Sequence, residues 1–94
     1  MAANGARGEV EAVLAGRLRR LCLTLGALAE LETAFAADGW EDLAGRLRGL
    51  SAKDLTTVLA ALLRGGGEEP GDLSGVALDE AARAIAAAFT AAGS

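Results

Sequence analysis

The first periodic segment of the chain, residues 9–28, fits two different secondary structures. Apolar residues recur there at intervals of three and four, which is typical of an amphipathic helix, at Val10, Leu14, Leu18, Leu21, Leu25 and Leu28. The same segment also shows alternation, at Val10, Ala12 and Leu14 before Gly16 and at Leu21, Leu23 and Leu25 after it, as a β-hairpin turning at Ala15-Gly16 would require. The pattern alone slightly favours one long helix and leaves the hairpin open.

The rest of the pattern is helical, with an apolar stripe along one side of each segment. Helices are predicted over residues 25–37, 40–48, 52–64 and 76–92. Thr24 is predicted to cap the first of them, because its hydroxyl can accept a hydrogen bond from the first turn. The third has the clearest start, since Ser51 and Asp54 stand at the positions of a capping box, and Leu50 and Leu55 at those of a hydrophobic staple.

Two segments lack a periodic pattern. Residues 1–7 offer little to bury and are predicted to be a mobile tail. Residues 65–71 begin with three glycines and contain two glutamates and a proline, which predicts a flexible acidic loop. What remains predicts a single domain over residues 8–94, with a hairpin or a helix in front of three to four packed helices.

Composition and charge narrow the classes of function. The apolar fraction of 52% is dominated by alanine and leucine, which favours packed helices over a β-sandwich. A net charge of −4 argues against nucleic acid as a partner, because phosphates attract clustered lysine and arginine. The arginines at 17, 19 and 20 are predicted to be a solvated turn and strand edge. No signal peptide and no apolar run of about 18 residues is present, so a cytoplasmic protein away from membranes is expected.

Few side chains suit catalysis or metal binding. The chain has one cysteine and no histidine, which removes an internal disulfide, histidine acid–base catalysis and Cys/His zinc sites. Cys22 stands between two leucines and is predicted to be a structural thiol. The glycine run lacks the Gly-Lys-Ser/Thr ending of a phosphate-binding loop, and the carboxylates do not follow a calcium-loop pattern. We therefore expect a binding protein that is not an enzyme and uses no metal and no cofactor.

Ser74 raises one alternative. In a small acidic helical protein, a serine near a helix start can carry phosphopantetheine, as in acyl or peptidyl carrier proteins. Only 20 residues follow Ser74, which is too few for the two helices that a carrier places there. A turn or cap at Asp72 or Ser74 explains the segment better, and the carrier remains a second alternative.

The segment Gly-Arg-Leu-Arg-Arg-Leu-Cys-Leu-Thr-Leu-Gly-Ala-Leu-Ala-Glu-Leu-Glu-Thr-Ala-Phe, residues 16–35, resembles a known family. It is similar to the signature region of the small tail assembly chaperones encoded in the gene transfer agents of alphaproteobacteria. Residues 42–48, residues 50–59 and the Leu-Arg-Gly-Gly-Gly ending at Gly67 also fit, so the resemblance covers about residues 8–67. It implies strands at 9–14 and 17–23, and therefore an α+β fold that is mostly α, with a short N-terminal β-hairpin followed by three to four packed helices.

The resemblance also implies a function. It predicts a chaperone that binds the long, apolar tape measure protein during tail assembly, with the tail tube protein as a further partner. The residues expected to contact the partner, each of which could instead belong to the core, are Leu25, Leu28, Leu31, Ile85 and Phe89. A structural tail component, in the tube or the tail tip, is the closest alternative, and the oligomeric state is left open.

Overall fold

A computed structural model describes residues 8–47 and 49–93, without the side chains of Trp40 and Ala44. The predicted mobile tail, residues 1–7, lies outside the described residues. The elements in chain order are β1 (Glu9–Leu14), β2 (Arg17–Cys22), α1 (Leu25–Phe35), α2 (Gly39–Arg46), α3 (Ala52–Gly65) and α4 (Leu78–Ala92). The predicted fold class, α+β and mostly α with an N-terminal hairpin before the helices, is confirmed.

The N-terminal segment is a hairpin and not part of a long helix. Its strands pair antiparallel, with Leu14 opposite Arg17 beside the turn. Ala15 and Gly16 both have positive φ, of 52° and 79°, as in the two-residue turn whose twist matches that of paired strands. Leu18, which a long helix would place in its buried stripe, is 63% exposed, whereas Leu14 is buried. The alternation, and not the helical spacing, was therefore the informative pattern.

Two helices begin with the side-chain caps that the sequence predicts. The hydroxyl of Thr24 accepts a hydrogen bond from the backbone N–H of Ala27 at 3.1 Å, and that of Ser51 accepts one from Asp54 at 3.2 Å. The last helix begins two residues later than predicted, because the backbone before it turns and Glu80 accepts a hydrogen bond from the N–H of Ala77.

The core lies around α3, which packs against β2, α1 and α4. The hairpin lies across two helices, with β2 against α3 and β1 against α4, while α1 packs on α3 and α2 on α1. The largest fully buried side chains are Leu14, Leu21, Leu31, Leu43, Val58, Leu59, Leu62 and Leu63. Within residues 8–47 and 49–93, none of the helices has the length and hydrophobicity needed to cross a bilayer.

Candidate protein-binding surface

The two faces of the hairpin differ in burial. On the inner face, Val10, Leu14 and Leu21 pack into the core. On the outer face, Val13 and Leu18 stand opposite each other across the strands and are 54% and 63% exposed. Opposed apolar side chains support each other across a strand pair, but these two remain in contact with water. The outer face is therefore a candidate contact surface.

The turn of the hairpin is fixed to the start of α4. Glu80 accepts a hydrogen bond from the backbone N–H of Ala15 at 3.2 Å. This link places Leu78, which is 66% exposed, at the same end of the molecule as Val13 and Leu18. These three side chains, Val13, Leu18 and Leu78, form what we call the turn-end cluster. They are three of the four large apolar side chains that are exposed in the described part of the chain.

A groove lies beside the cluster. It has a volume of about 240 Å³ and is lined mainly by apolar side chains, among them Leu55, Leu59, Leu73, Val76, Leu78 and Ala81. We call it the α3–α4 groove. Asp72 and Asp79 each adjoin a lining leucine in sequence, and both are exposed. Asp72 accepts a hydrogen bond from the backbone N–H of Ser74 at 2.9 Å, which holds the pKa of its carboxyl below the usual value.

The outer edge of β2 is covered by the end of α3. Gly65 and Gly66 lie so close to it that a Cβ would collide with the carbonyl oxygens of Cys22 and Arg20, respectively. The backbone N–H of Arg20 donates to the Oε2 atom of Glu68 at 2.8 Å. Gly65 and Gly66 are therefore a packing surface for the strand. Residues 66–71 form no helix or strand, as the predicted loop requires, and this loop starts against β2.

A partly buried ion pair joins the same strand to the segment after α3. Arg19 is only 8% exposed; its Nε donates to Oε1 of Glu68 at 2.5 Å, and its Nη2 donates to the carbonyl oxygen of Glu69 at 2.6 Å. Burial raises the pKa of Glu68, whereas the hydrogen bonds from the Arg19 side chain and the N–H of Arg20 lower it. The lowering is the larger effect, so the pKa lies below its usual value. The prediction of a solvated arginine cluster is therefore wrong for Arg19, although Arg17 is exposed.

The five residues predicted to contact a partner lie in two separate places. On α1, Leu31 is completely buried, Leu28 is half-buried and Leu25 is 85% exposed. On α4, Ile85 is buried and Phe89 half-buried, and both line a second groove of about 290 Å³ next to the α2–α3 connection. The structure thus brings Ile85 and Phe89 together in one groove, and none of the α1 leucines lines it. The prediction did not include the turn-end cluster.

The side chains considered for metal binding, thiol chemistry or cofactor attachment have the following places in the fold. Among residues 8–47 and 49–93, no three side chains of the metal-ligating types converge. Cys22 is buried at the end of β2. Ser74 lies in the predicted turn with Asp72, four residues before α4 begins at Leu78.

A comparison with protein families gives one match. The family described as "Phage tail tube protein, GTA-gp10" matches residues 7–93, a span that includes the hairpin and all four helices. The chain belongs to this family. No match was found among curated proteins or among solved structures.

The family corrects the function inferred from the sequence resemblance. The relation to the tails of phages and gene transfer agents is confirmed, but the prediction of a tape measure chaperone is wrong, because the family is one of tail tube proteins. The structural tail component, which was the alternative, is the better supported. Two of the residues expected to contact a partner, Leu31 and Ile85, are buried in the core.

Proposed function

We propose that the chain is a structural subunit of the tail tube in a phage-type particle or gene transfer agent, and that its partners are other proteins of the assembling tail. The family match over residues 7–93 is the observation that carries this proposal. A tube subunit acts by making repeated contacts with its neighbours, which requires no catalysis, and we propose none.

The turn-end cluster supplies a surface suited to such contacts. Exposed apolar side chains that are clustered on a folded protein are typical of protein–protein interfaces. Here they are also held in place. The hairpin turn is bonded to Glu80, and β2 is held by Glu68 and the end of α3. A surface that is ordered before association loses little conformational entropy when it binds.

The double variant Val13→Ser, Leu18→Ser is therefore expected to fold but to fail in assembly. Both side chains lie mostly in water, so their loss should change the free energy of unfolding by only about 0.5 kcal/mol each. Its content in purified tails should fall at least about tenfold relative to wild type when both are co-expressed with the other tail proteins. Quantitative mass spectrometry of the tails measures this ratio.

Leu25→Ser is the matched control. Leu25 is 85% exposed but follows the end of β2, away from the hairpin turn, so this variant should enter tails as wild type does. If the double variant and wild type entered tails equally, the turn-end cluster would not be part of the interface. Loss of Leu25→Ser alone would move the interface to α1.

A further inference from the structure

The turn end carries unlike charges beside its exposed apolar side chains. Arg17 directly precedes Leu18 and stands opposite Leu14 across the strands, on the other face of the hairpin from Leu18. It is exposed at the turn and has no ion-pair partner among residues 8–47 and 49–93. On the other side, the α3–α4 groove is flanked in sequence by Asp72 and Asp79. Asp79 pairs with Arg83 on its own helix at 2.9 Å. Asp72 is hydrogen-bonded to the backbone and the side chain of Ser74 and forms no ion pair in the described structure. The turn end of the molecule thus presents an exposed leucine and a cation without an ion pair, and its apolar groove adjoins an anion without an ion pair.

These features complement each other between two copies of the chain. The groove, of about 240 Å³, has room for an aliphatic side chain, which on entering it would displace water from apolar surface. Opposite charges at the rim would fix the register of such a contact. Because protrusion and groove lie at the same end, a two-fold axis lets each copy supply both, so that every contact is made twice.

We propose that two copies of the chain pair through their turn ends, with Leu18 of each copy entering the α3–α4 groove of the other and Arg17 pairing with Asp72 across the interface. This proposal rests on the proposed tail function in one respect: it assigns the turn-end cluster, the surface proposed for tail contacts, to a contact between two copies of the chain. A heterologous tail protein of matching charge is the competing occupant, and the experiment below separates the two.

Sedimentation of the purified full-length chain tests the pairing. Wild type is expected to form a concentration-dependent dimer. Arg17→Asp should raise its dissociation constant at least about tenfold, because attraction becomes repulsion at two equivalent contacts. Asp72→Arg should act likewise. Asp72→Asn, which keeps an acceptor for the Ser74 N–H, should weaken the dimer by a smaller factor without disturbing the turn.

The charge-swapped variant Arg17→Asp, Asp72→Arg is the decisive one. It should restore the dissociation constant to within about threefold of wild type, whereas Arg46→Asp, an exposed change on α2, should leave dimerisation unchanged. The proposal is overturned if wild type stays monomeric up to about 1 mM, if Arg17→Asp matches Arg46→Asp, or if the swap fails to restore pairing.

Incorporation into tails distinguishes this proposal from the tail function itself. A monomeric wild type that is still found in purified tails would refute the homotypic contact and leave the structural role intact. A dimeric wild type that is absent from tails would refute the structural role and leave the homotypic contact intact.

Discussion

Gly66→Ala is expected to lower the free energy of unfolding by about 3 kcal/mol, near the upper end of what overpacking costs. Gly66 has a negative φ, of −83°, so alanine meets no backbone strain there and the cost is one of space. Its Cβ would lie 2.7 Å from the carbonyl carbon of Arg20 and closer still to the oxygen. Because β2 is paired with β1 and bonded to Glu68, the strand cannot move aside cheaply. Urea denaturation measures the change.

Gly45→Ala is the matched control for this prediction. Gly45 lies in α2, and an added Cβ would meet no atom within 4 Å, so alanine should stabilise the chain by up to about 1 kcal/mol through helix propensity. A Gly66→Ala variant as stable as wild type would mean that α3 does not approach β2 as closely as described.

Glu68→Ala is expected to cost about 3 kcal/mol, because it leaves the buried guanidinium of Arg19 without its carboxylate. Glu68 is 29% exposed in its side chain, which places the estimate at the lower end for buried pairs. The double variant Arg19→Met, Glu68→Ala should cost less than the sum of the two single changes, since no unpaired charge remains. Arg83→Gln breaks a pair whose side chains are 75% and 72% exposed, and should cost less than about 0.5 kcal/mol.

The same ion pair should make stability depend on pH in acid. The pKa of Glu68 lies below its usual value of 4.5 in the folded chain, so the unfolded chain binds the proton more readily as pH falls. The stabilisation is therefore complete above about pH 4.5 and is lost as pH falls through the lowered pKa. The stability difference between wild type and Glu68→Gln should be constant near neutral pH and shrink in acid. A difference that stayed constant down to low pH would show that the carboxylate is not held in its ionised form.

Much of the fold could be predicted because local chemistry and periodicity agree over most of the chain. Ser51 and Thr24 are helix caps in both the pattern and the structure. The hairpin could not be decided from periodicity, because its inner-face residues Leu14 and Leu21 also fall at helical spacing. The turn at Ala15-Gly16, with positive φ at both residues, decides it. Its local signal was Gly16, the only glycine between Glu9 and Cys22.

The candidate surface was harder to predict, because exposure depends on which elements meet. Leu31 and Ile85 look like a helical binding stripe in sequence, but α3 and its neighbours bury both. Leu18 looks like a core leucine until the strand register turns it outward. Arg19 shares its strand face with Leu21, and this phase was the one signal that its guanidinium would be buried. The acceptor Glu68 is 49 residues away, and no local pattern could supply it.

The number of copies of the chain in purified tails tests the structural role most directly. We expect quantitative mass spectrometry to find it in every tail at many copies, in a fixed ratio to the other tail proteins and retained after washing in high salt. A chain that was abundant in the lysate but missing from the washed tails would contradict the account.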